Sequence, residues 1–481
     1  MNRSRANSIS SELLIDLRRD VPDPLHRQIE AAIRDAIQAG RLRQGTTLPP
    51  TRTLAADLGV SRGVVVEAYQ QLVAEGYLTS QGGGYTQVAI EPTAIAGRRR
   101  SDRRRKRPPS RNRDVGKPRI DFGYGRADVS NFPRTAWLRS LRQIISEAPS
   151  DRFGYLSGRG ASELREALSG YLSRIRGTDA HADDMVICGG YAQGIALVLH
   201  ALRGTGVTCI AVEDPSSGDD AIPVARGLGL DVVGIPVGDD GIDVDALTRS
   251  GADAVVLTPT HQWPLGSVLS AEARAAILEW AEQHGSLVIE DDYDAEYRYD
   301  RSPIGAMQGL APDHVVYAGS ASKTLAPGLR IGWLVVPHDL VDAVADAKIL
   351  ADRGSPAIDQ LAFADFLKRG EFDRHLRRMR PVYRRRRDAL LTALGERLPD
   401  FEPIGISAGI HLVTWLPPDL DEKSVVAAAA AGGVGVSGVG PYRLSHPGRD
   451  GLIFGYSSLN ERTITEGIGL VAEAVAGLRR T

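Results

Sequence analysis

One lysine in the middle of the chain is set among groups that could capture an aldehyde together with its phosphate. The segment runs Gly319-Ser-Ala-Ser-Lys323-Thr-Leu-Ala-Pro-Gly-Leu-Arg330-Ile-Gly-Trp333. No carboxylate adjoins Lys323; the hydroxyls of Ser320 and Ser322 flank it, and Arg330 follows one or two helical turns later. Such a lysine can form a Schiff base with an aldehyde cofactor while the hydroxyls and guanidinium hold a phosphate. A surface loop with a solvated lysine is the plainer alternative. The Pro327-Gly328 turn and the apolar run at 331–336 argue instead for a loop entering a buried strand.

Two constellations upstream bear on the same chemistry. Leu287-Val-Ile-Glu290-Asp291-Asp292-Tyr293 is an apolar strand ending in acids and a phenol, and the carboxyl ends of strands are where open α/β sheets bind ligands. Val186-Ile-Cys-Gly189-Gly190-Tyr191-Ala192-Gln193-Gly194 reads as strand, glycine turn and helix start, which leaves backbone N–H groups aimed at an anion.

In wording and order these segments resemble the fold-type I pyridoxal-phosphate (PLP) proteins, the aspartate aminotransferase superfamily. The resemblance implies an aldimine of PLP on Lys323, with Asp291 keeping the pyridinium protonated and Tyr293 hydrogen-bonding the ring's phenolate oxygen. Asp292 is expected to be structural. Ser320, Ser322 and Arg330, with Tyr191, Ala192 and Gln193 of the glycine turn, become the phosphate cup, and Gln262 is counted among the cofactor contacts. Tyr155, in Phe153-Gly-Tyr-Leu-Ser-Gly-Arg-Gly160, matches a tyrosine that reaches the phosphate from a partner subunit, which implies a homodimer.

The departures from that pattern are informative. Thr258-Pro-Thr-His261-Gln262-Trp263-Pro264-Leu-Gly266 puts Trp263 where the enzymes carry the asparagine of Asn-Pro-Thr-Gly. Ser216-Ser217-Gly218 follows Asp214-Pro215 where a stacking aromatic is usual, so another ring such as Tyr191 would have to substitute. Ile453 stands where aminotransferases place the arginine that grips the substrate's α-carboxylate bidentately. Arg443, Arg449 and Arg462 are near but out of register.

The amino end carries a different kind of chemistry. Apolar residues at 25, 29, 32/33 and 36/37 have helical spacing. Leu48-Pro-Pro-Thr51-Arg52-Thr-Leu54-Ala-Ala-Asp-Leu58-Gly59-Val60-Ser61-Arg62 follows. Thr51 is expected to cap one short helix, Gly59 to turn the chain, and Ser61 to cap a second helix that buries Val64, Ala68 and Leu72. Such a unit lays its second helix in a DNA major groove. Gly76 to Val88 then reads as two short strands about a glycine tip, a wing. The phrases resemble the winged helix-turn-helix of GntR regulators. That implies base or phosphate contacts from Arg52 and Arg62, and backbone contacts from Ser61 and the Gly82, Gly83 and Gly84 tip. The two halves in this order resemble the MocR/GabR subfamily of GntR transcription factors.

The elements that must position these groups follow from patterning. From Ile120 onward short apolar runs at 186–188, 208–212, 254–258, 287–290, 315–318 and 331–335 alternate with helical patterns, as a mainly parallel sheet requires. A smaller lobe begins near Asp373, where Leu376, Met379, Val382 and Tyr383 recur at helical spacing among arginines expected to be mostly solvated. The expected fold is α/β: a winged helix-turn-helix at 1–90, a basic disordered linker at 91–119, and a fold-type I aminotransferase-like domain at 120–481. The linker's basic stretch at 97–113 should repel itself and track DNA phosphates.

At 481 residues the chain is too long for one core. No apolar run is long enough to span a bilayer, and the amino terminus lacks an apolar core of the secretory type. Cys188 and Cys209 read as reduced core residues of a cytoplasmic protein. The net charge of −2 leaves DNA binding open. The function expected is a DNA-binding regulator whose grip on its operator depends on PLP at Lys323. The PdxR group, regulators of vitamin B6 synthesis, behaves in that way. The alternatives are a sensor of an amino acid or amine that exchanges onto the cofactor, and an active aminotransferase.

Overall fold

The computed structural model describes residues 15–81, 85–89, 118–125, 127–216, 220–299, 304–405 and 408–480. Gly82, Gly83 and Gly84, nearly all of the 91–119 linker, and residues 217 and 218 lie outside the described residues. The chain divides into two compact units, 1–115 and 116–481.

In the first unit, α1 (Leu25–Gln38) buries Ile29, Ile33, Ala36 and Ile37, the stripe its spacing predicts. α2 (Thr51–Leu58) ends at Gly59, which takes a left-handed φ of 63° that glycine adopts at little cost. α3 (Arg62–Ala74) begins three residues after Gly59. The caps differ from expectation. Pro50 occupies the cap position of α2, with Thr51 the first helical residue; Ser61 holds the cap position of α3 but its side chain makes no capping bond. The inward face of α3 is Val65, Ala68, Tyr69 and Leu72, with Val64 only half-buried. Tyr69 takes part because its hydroxyl donates to the Pro49 carbonyl at 2.9 Å. β1 (Leu78–Gln81) and β2 (Tyr85–Val88) pair antiparallel, from Leu78 opposite Val88 to Gln81 opposite Tyr85.

The second unit is built on an eight-stranded sheet. Its strands are β3 (Met185–Cys188), β4 (Cys209–Asp214), β5 (Asp231–Gly238), β6 (Gly241–Ile242), β7 (Ala254–Leu257), β8 (Leu287–Asp292), β9 (Val315–Ser320) and β10 (Gly332–Val335). They lie in the order β3-β10-β9-β8-β7-β4-β5-β6. The run from β9 to β5 is parallel, whereas β10 is antiparallel to both its neighbours. Parallel strands covered on both faces read as continuous apolar runs, which is why six of the eight are legible in the sequence. β5 is not, because Gly234 and Pro236 interrupt its apolar pattern.

α4 (Tyr191–Gly204) leaves the end of β3. The smaller lobe contains the long helix α5 (Glu371–Arg397), a four-stranded sheet and α6 (Glu461–Leu478). Leu376, Met379 and Tyr383 face inward as expected. Arg386 departs from the solvated-face reading: it is buried and pairs with Asp128 at 2.7 Å. Both cysteines are free; Cys188 is buried, but Cys209, at the start of β4, is only half-buried and so falls short of a core residue. Among the described residues no helix is long and apolar enough to cross a membrane.

Candidate functional site: a lysine-centred cavity and a DNA-reading helix

β8 ends in three consecutive acids, and strand alternation sends them to opposite faces of the sheet. Glu290 accepts the Met307 N–H at 2.9 Å, and burial pushes its carboxyl up to about 7. Asp292, on the same face, accepts from Arg176 Nε at 2.7 Å and from the Tyr317 hydroxyl at 2.7 Å. That ion pair is almost wholly enclosed, with side chains 0% and 1% exposed. Asp291 points the other way, into a cavity of about 370 Å³. Burial holds its carboxyl well above the usual range; Asp292 adds to the shift and Lys323 opposes it.

Lys323 lies just beyond β9. Its Nζ donates to the Gly125 carbonyl at 2.7 Å and stands 5.3 Å over the ring of Tyr124. Burial lowers its pKa, against the pull of Asp291, Asp294 and Asp220. Ser320, Ser322 and Arg330 line the same cavity. Arg330 takes a left-handed φ of 51°, and its guanidinium lies against Gly190. A Cβ added at Gly190, itself at φ +97°, would come within 3.2 Å of Nη1. Tyr191 and Ala192, which begin α4, complete this end, and that helix start has neither a side-chain cap nor an acid in its first turn. Hydroxyls, a guanidinium and an uncapped helix start therefore converge on one end of the cavity.

Several expected residues stand elsewhere. Gln193 accepts the Gly189 N–H at 2.6 Å and donates to Asp352 at 2.8 Å, so it braces the glycine turn from outside the cavity. Gln262 donates to the Pro215 and Trp263 carbonyls and accepts the Leu265 N–H; it shapes its own loop. Tyr293 lines the cavity with its ring, but its hydroxyl donates to the His261 carbonyl at 2.8 Å and lies 3.0 Å from His261 Nδ1. His261 Nδ1 is in turn 3.0 Å from Asp294. Tyr155 is 95% exposed and outside its own chain's cavity.

Other groups enter that the sequence reading passed over. Tyr124 stacks on Trp263 with ring centroids 3.4 Å apart, and Tyr442 meets Trp263 edge-on at 5.5 Å. Tyr442 is brought in by a strap from the smaller lobe: its carbonyl accepts the Ser216 N–H. The buried carboxylate of Asp214 accepts the N–H groups of Leu444, Ser445 and His446. Asp220 also lines the cavity. Ile453 is fully buried in an apolar cluster with Trp263, Tyr293, Val413 and Val439.

In the first unit Arg52, Ser61 and Arg62 are all exposed along the turn and the start of α3, and Arg62 Nε approaches Thr51 Oγ1 at 3.4 Å. A helix-turn-helix with a two-stranded wing, on a chain that also bears a lysine-centred α/β cavity, defines a DNA-binding regulator with an aminotransferase-like domain.

Comparison with known proteins gives the family. Residues 25–88 match the bacterial regulatory proteins of the gntR family, and residues 118–449 match aminotransferase class I and II. The chain is 34% identical to the probable rhizopine catabolism regulatory protein MocR of Rhizobium meliloti, covering 97% of this chain and 96% of the relative. It is 29% identical to the pyridoxine biosynthesis transcriptional regulator PdxR of Corynebacterium glutamicum, over 97% and 99%. Among solved structures, the α-aminoadipate aminotransferase LysN of Thermus thermophilus, complexed with N-(5'-phosphopyridoxyl)-L-leucine, superposes with a TM-score of 0.68 at 26% identity. That match covers 75% of this chain and 93% of LysN. The chain belongs to the MocR/GabR subfamily of GntR transcriptional regulators.

Proposed function

We propose that the protein is a transcriptional regulator whose operator binding depends on PLP held at Lys323, and that it does not turn over amino acids. The class I and II domain and its PLP-type structural neighbours imply this cofactor, and the cavity fits it. The space beside Arg330 is kept open by Gly190, where a Cβ would crowd the guanidinium. Arg330, Ser320, Ser322 and the start of α4 would hold the phosphate, Asp291 the ring nitrogen, and Lys323 the aldehyde. Bound there, the cofactor supplies an electrophilic carbonyl conjugated to an electron-withdrawing ring. Asp291 would hold a proton at the ring nitrogen, and burial shifts the pKa of Lys323 downward, the direction that favours its nucleophilic amine.

One observation carries the regulator reading. The holding groups are present, whereas Ile453, at the place of the carboxylate clamp, is sealed among apolar side chains. Without that clamp an amino acid is poorly positioned for proton transfer. The 95% exposure of Tyr155 supports a role across a homodimer contact, and the similarity to PdxR supports vitamin B6 synthesis genes as the target.

A gel-shift titration on the protein's own upstream region, with and without PLP, tests the reading. PLP should change the shift, the loaded protein should show a visible absorbance band, and Lys323→Ala should lose both effects. An unchanged shift, or steady conversion of an amino acid with a keto acid, would refute it.

A further inference from the structure

We propose that His261, Asp294 and His411 form a binding site for a divalent transition-metal ion, behind the wall of the cofactor cavity. One ligand-capable atom from each lies within 4.8 Å of the other two, and all three side chains are buried. His261 Nδ1 and Asp294 Oδ2 are 3.0 Å apart. Metal bonds of about 2.1 Å set two ligand atoms roughly 3.0 Å apart at a right angle and about 3.4 Å apart at the tetrahedral angle. An ion can therefore replace the hydrogen between this pair with little movement, the imidazole then carrying its hydrogen on Nε2. Gly409 leaves room beside both atoms: a Cβ there would fall 2.6 Å from the nitrogen and 2.7 Å from the oxygen.

His411 supplies the observation that points to a ligand. Its Nε2 donates to the Pro264 carbonyl at 2.9 Å, which leaves a lone pair on Nδ1. That nitrogen is buried and meets no hydrogen-bond partner among the described residues, a state that native interiors rarely leave uncompensated. Metal-ligating histidines share this arrangement, the far N–H donating to a carbonyl or carboxylate so that the tautomer is fixed. Burial keeps the pKa of His411 well below its ordinary value, and the neutral ring is the form that binds metal. Two imidazoles and one carboxylate suit zinc or its first-row neighbours, whereas magnesium and calcium take oxygen ligands. His411 belongs to the smaller lobe's four-stranded sheet, while His261 and Asp294 follow β7 and β8. An ion here would clip the two lobes together. Tyr293, which lines the cavity, places its hydroxyl 3.0 Å from His261 Nδ1 and so joins the two sites.

The test dialyses chelator-treated, full-length protein without PLP against zinc and, in parallel, magnesium, and reads metal content by plasma mass spectrometry. About one zinc ion per chain should remain and no magnesium, and zinc should raise the melting temperature. His411→Gln and Asp294→Asn should each weaken zinc by more than about 100-fold, since altering a residue merely behind a ligand already costs roughly 10- to 100-fold. His338→Gln, which removes an exposed imidazole beside Asp184, should change nothing. A wild type that retains no zinc overturns the proposal, as does undiminished zinc in His411→Gln or Asp294→Asn protein that melts normally. If neither variant folds, cobalt(II) in the wild type decides. The strong visible bands of imidazole-bound cobalt are expected, and the weak absorption of hydrated cobalt alone overturns the proposal.

Discussion

Asp291 and Asp292 are neighbours in sequence, and replacing each with asparagine should separate cofactor holding from stability. Burial already pushes Asp291 towards its protonated form in the ligand-free protein. Asparagine, similar in shape and uncharged, should therefore alter the melting temperature little. On the proposed reading, the same change would remove a charge-assisted hydrogen bond to the cofactor's ring nitrogen, worth about 1.5–3 kcal/mol, or roughly 10- to 150-fold in affinity. Asp292→Asn acts on the other face of β8. It leaves the Arg176 guanidinium, 0% exposed, without its counter-charge, a loss of about 3–5 kcal/mol. At about 2 °C per kcal/mol for a large domain, that is a fall of about 6–10 °C. Thermal melting of the ligand-free variants and PLP titration followed at the visible band measure the two effects. If Asp291→Asn melts as early as Asp292→Asn, or binds PLP as tightly as the wild type, strand alternation has not assigned the two acids correctly.

Three further outcomes are expected. Gly190→Ala places a Cβ at positive φ beside the Arg330 guanidinium; strain of about 1–2 kcal/mol should weaken PLP binding on the order of ten-fold in the same titration. Glu213 is raised by burial from 4.5 to about 7, against hydrogen bonds from Thr258. Its protonated form is favoured by folding, so its contribution is complete below pH 4.5 and is lost as pH rises through 7. The loss is worth about 3 kcal/mol, and Glu213→Gln should flatten the decline in melting temperature between pH 5 and 8. Arg62→Ala should weaken sequence-specific DNA binding by about 5- to 150-fold in a gel shift, the 1–3 kcal/mol of one base contact, while leaving PLP uptake and melting unchanged.

What the sequence made legible follows from the range of the contacts involved. The helix-turn-helix is a local structure: the spacing of Ile29, Ile33 and Ile37 and the glycine at 59 act within a few turns of chain. The anion end of the cavity is non-local but simple, because β3, β9 and β8 all deliver their next residues to one edge of the sheet. Lys323, Arg330, Asp291 and Tyr191 therefore meet without further information. Tyr124 and Tyr442 meet Trp263 from opposite ends of the domain, and nothing in their neighbourhoods marks them. Gln193 and Gln262 stand outside the cavity lining for a local reason. A glutamine beside a tight turn satisfies that turn's own backbone first, and both do so here.

Holding a cofactor and using it as an enzyme make different demands on the same cavity. Turnover requires that a substrate be fixed on more than one side, since only contacts that strengthen in the transition state raise the rate. A regulator requires only that a ligand bind two conformations unequally, and a ten-fold preference, about 1.4 kcal/mol, already shifts their ratio ten-fold. On the regulator reading, Ile453 would remove one support for turnover and leave the anion end and Asp291 untouched. The His261–Asp294 contact at 3.0 Å with Tyr293 against it ties that phenol to its own loop, a second departure in the same direction. Both changes are tolerable where binding alone is read out and costly where chemistry is. For that reason the steady-turnover assay is the harshest test of the regulator reading.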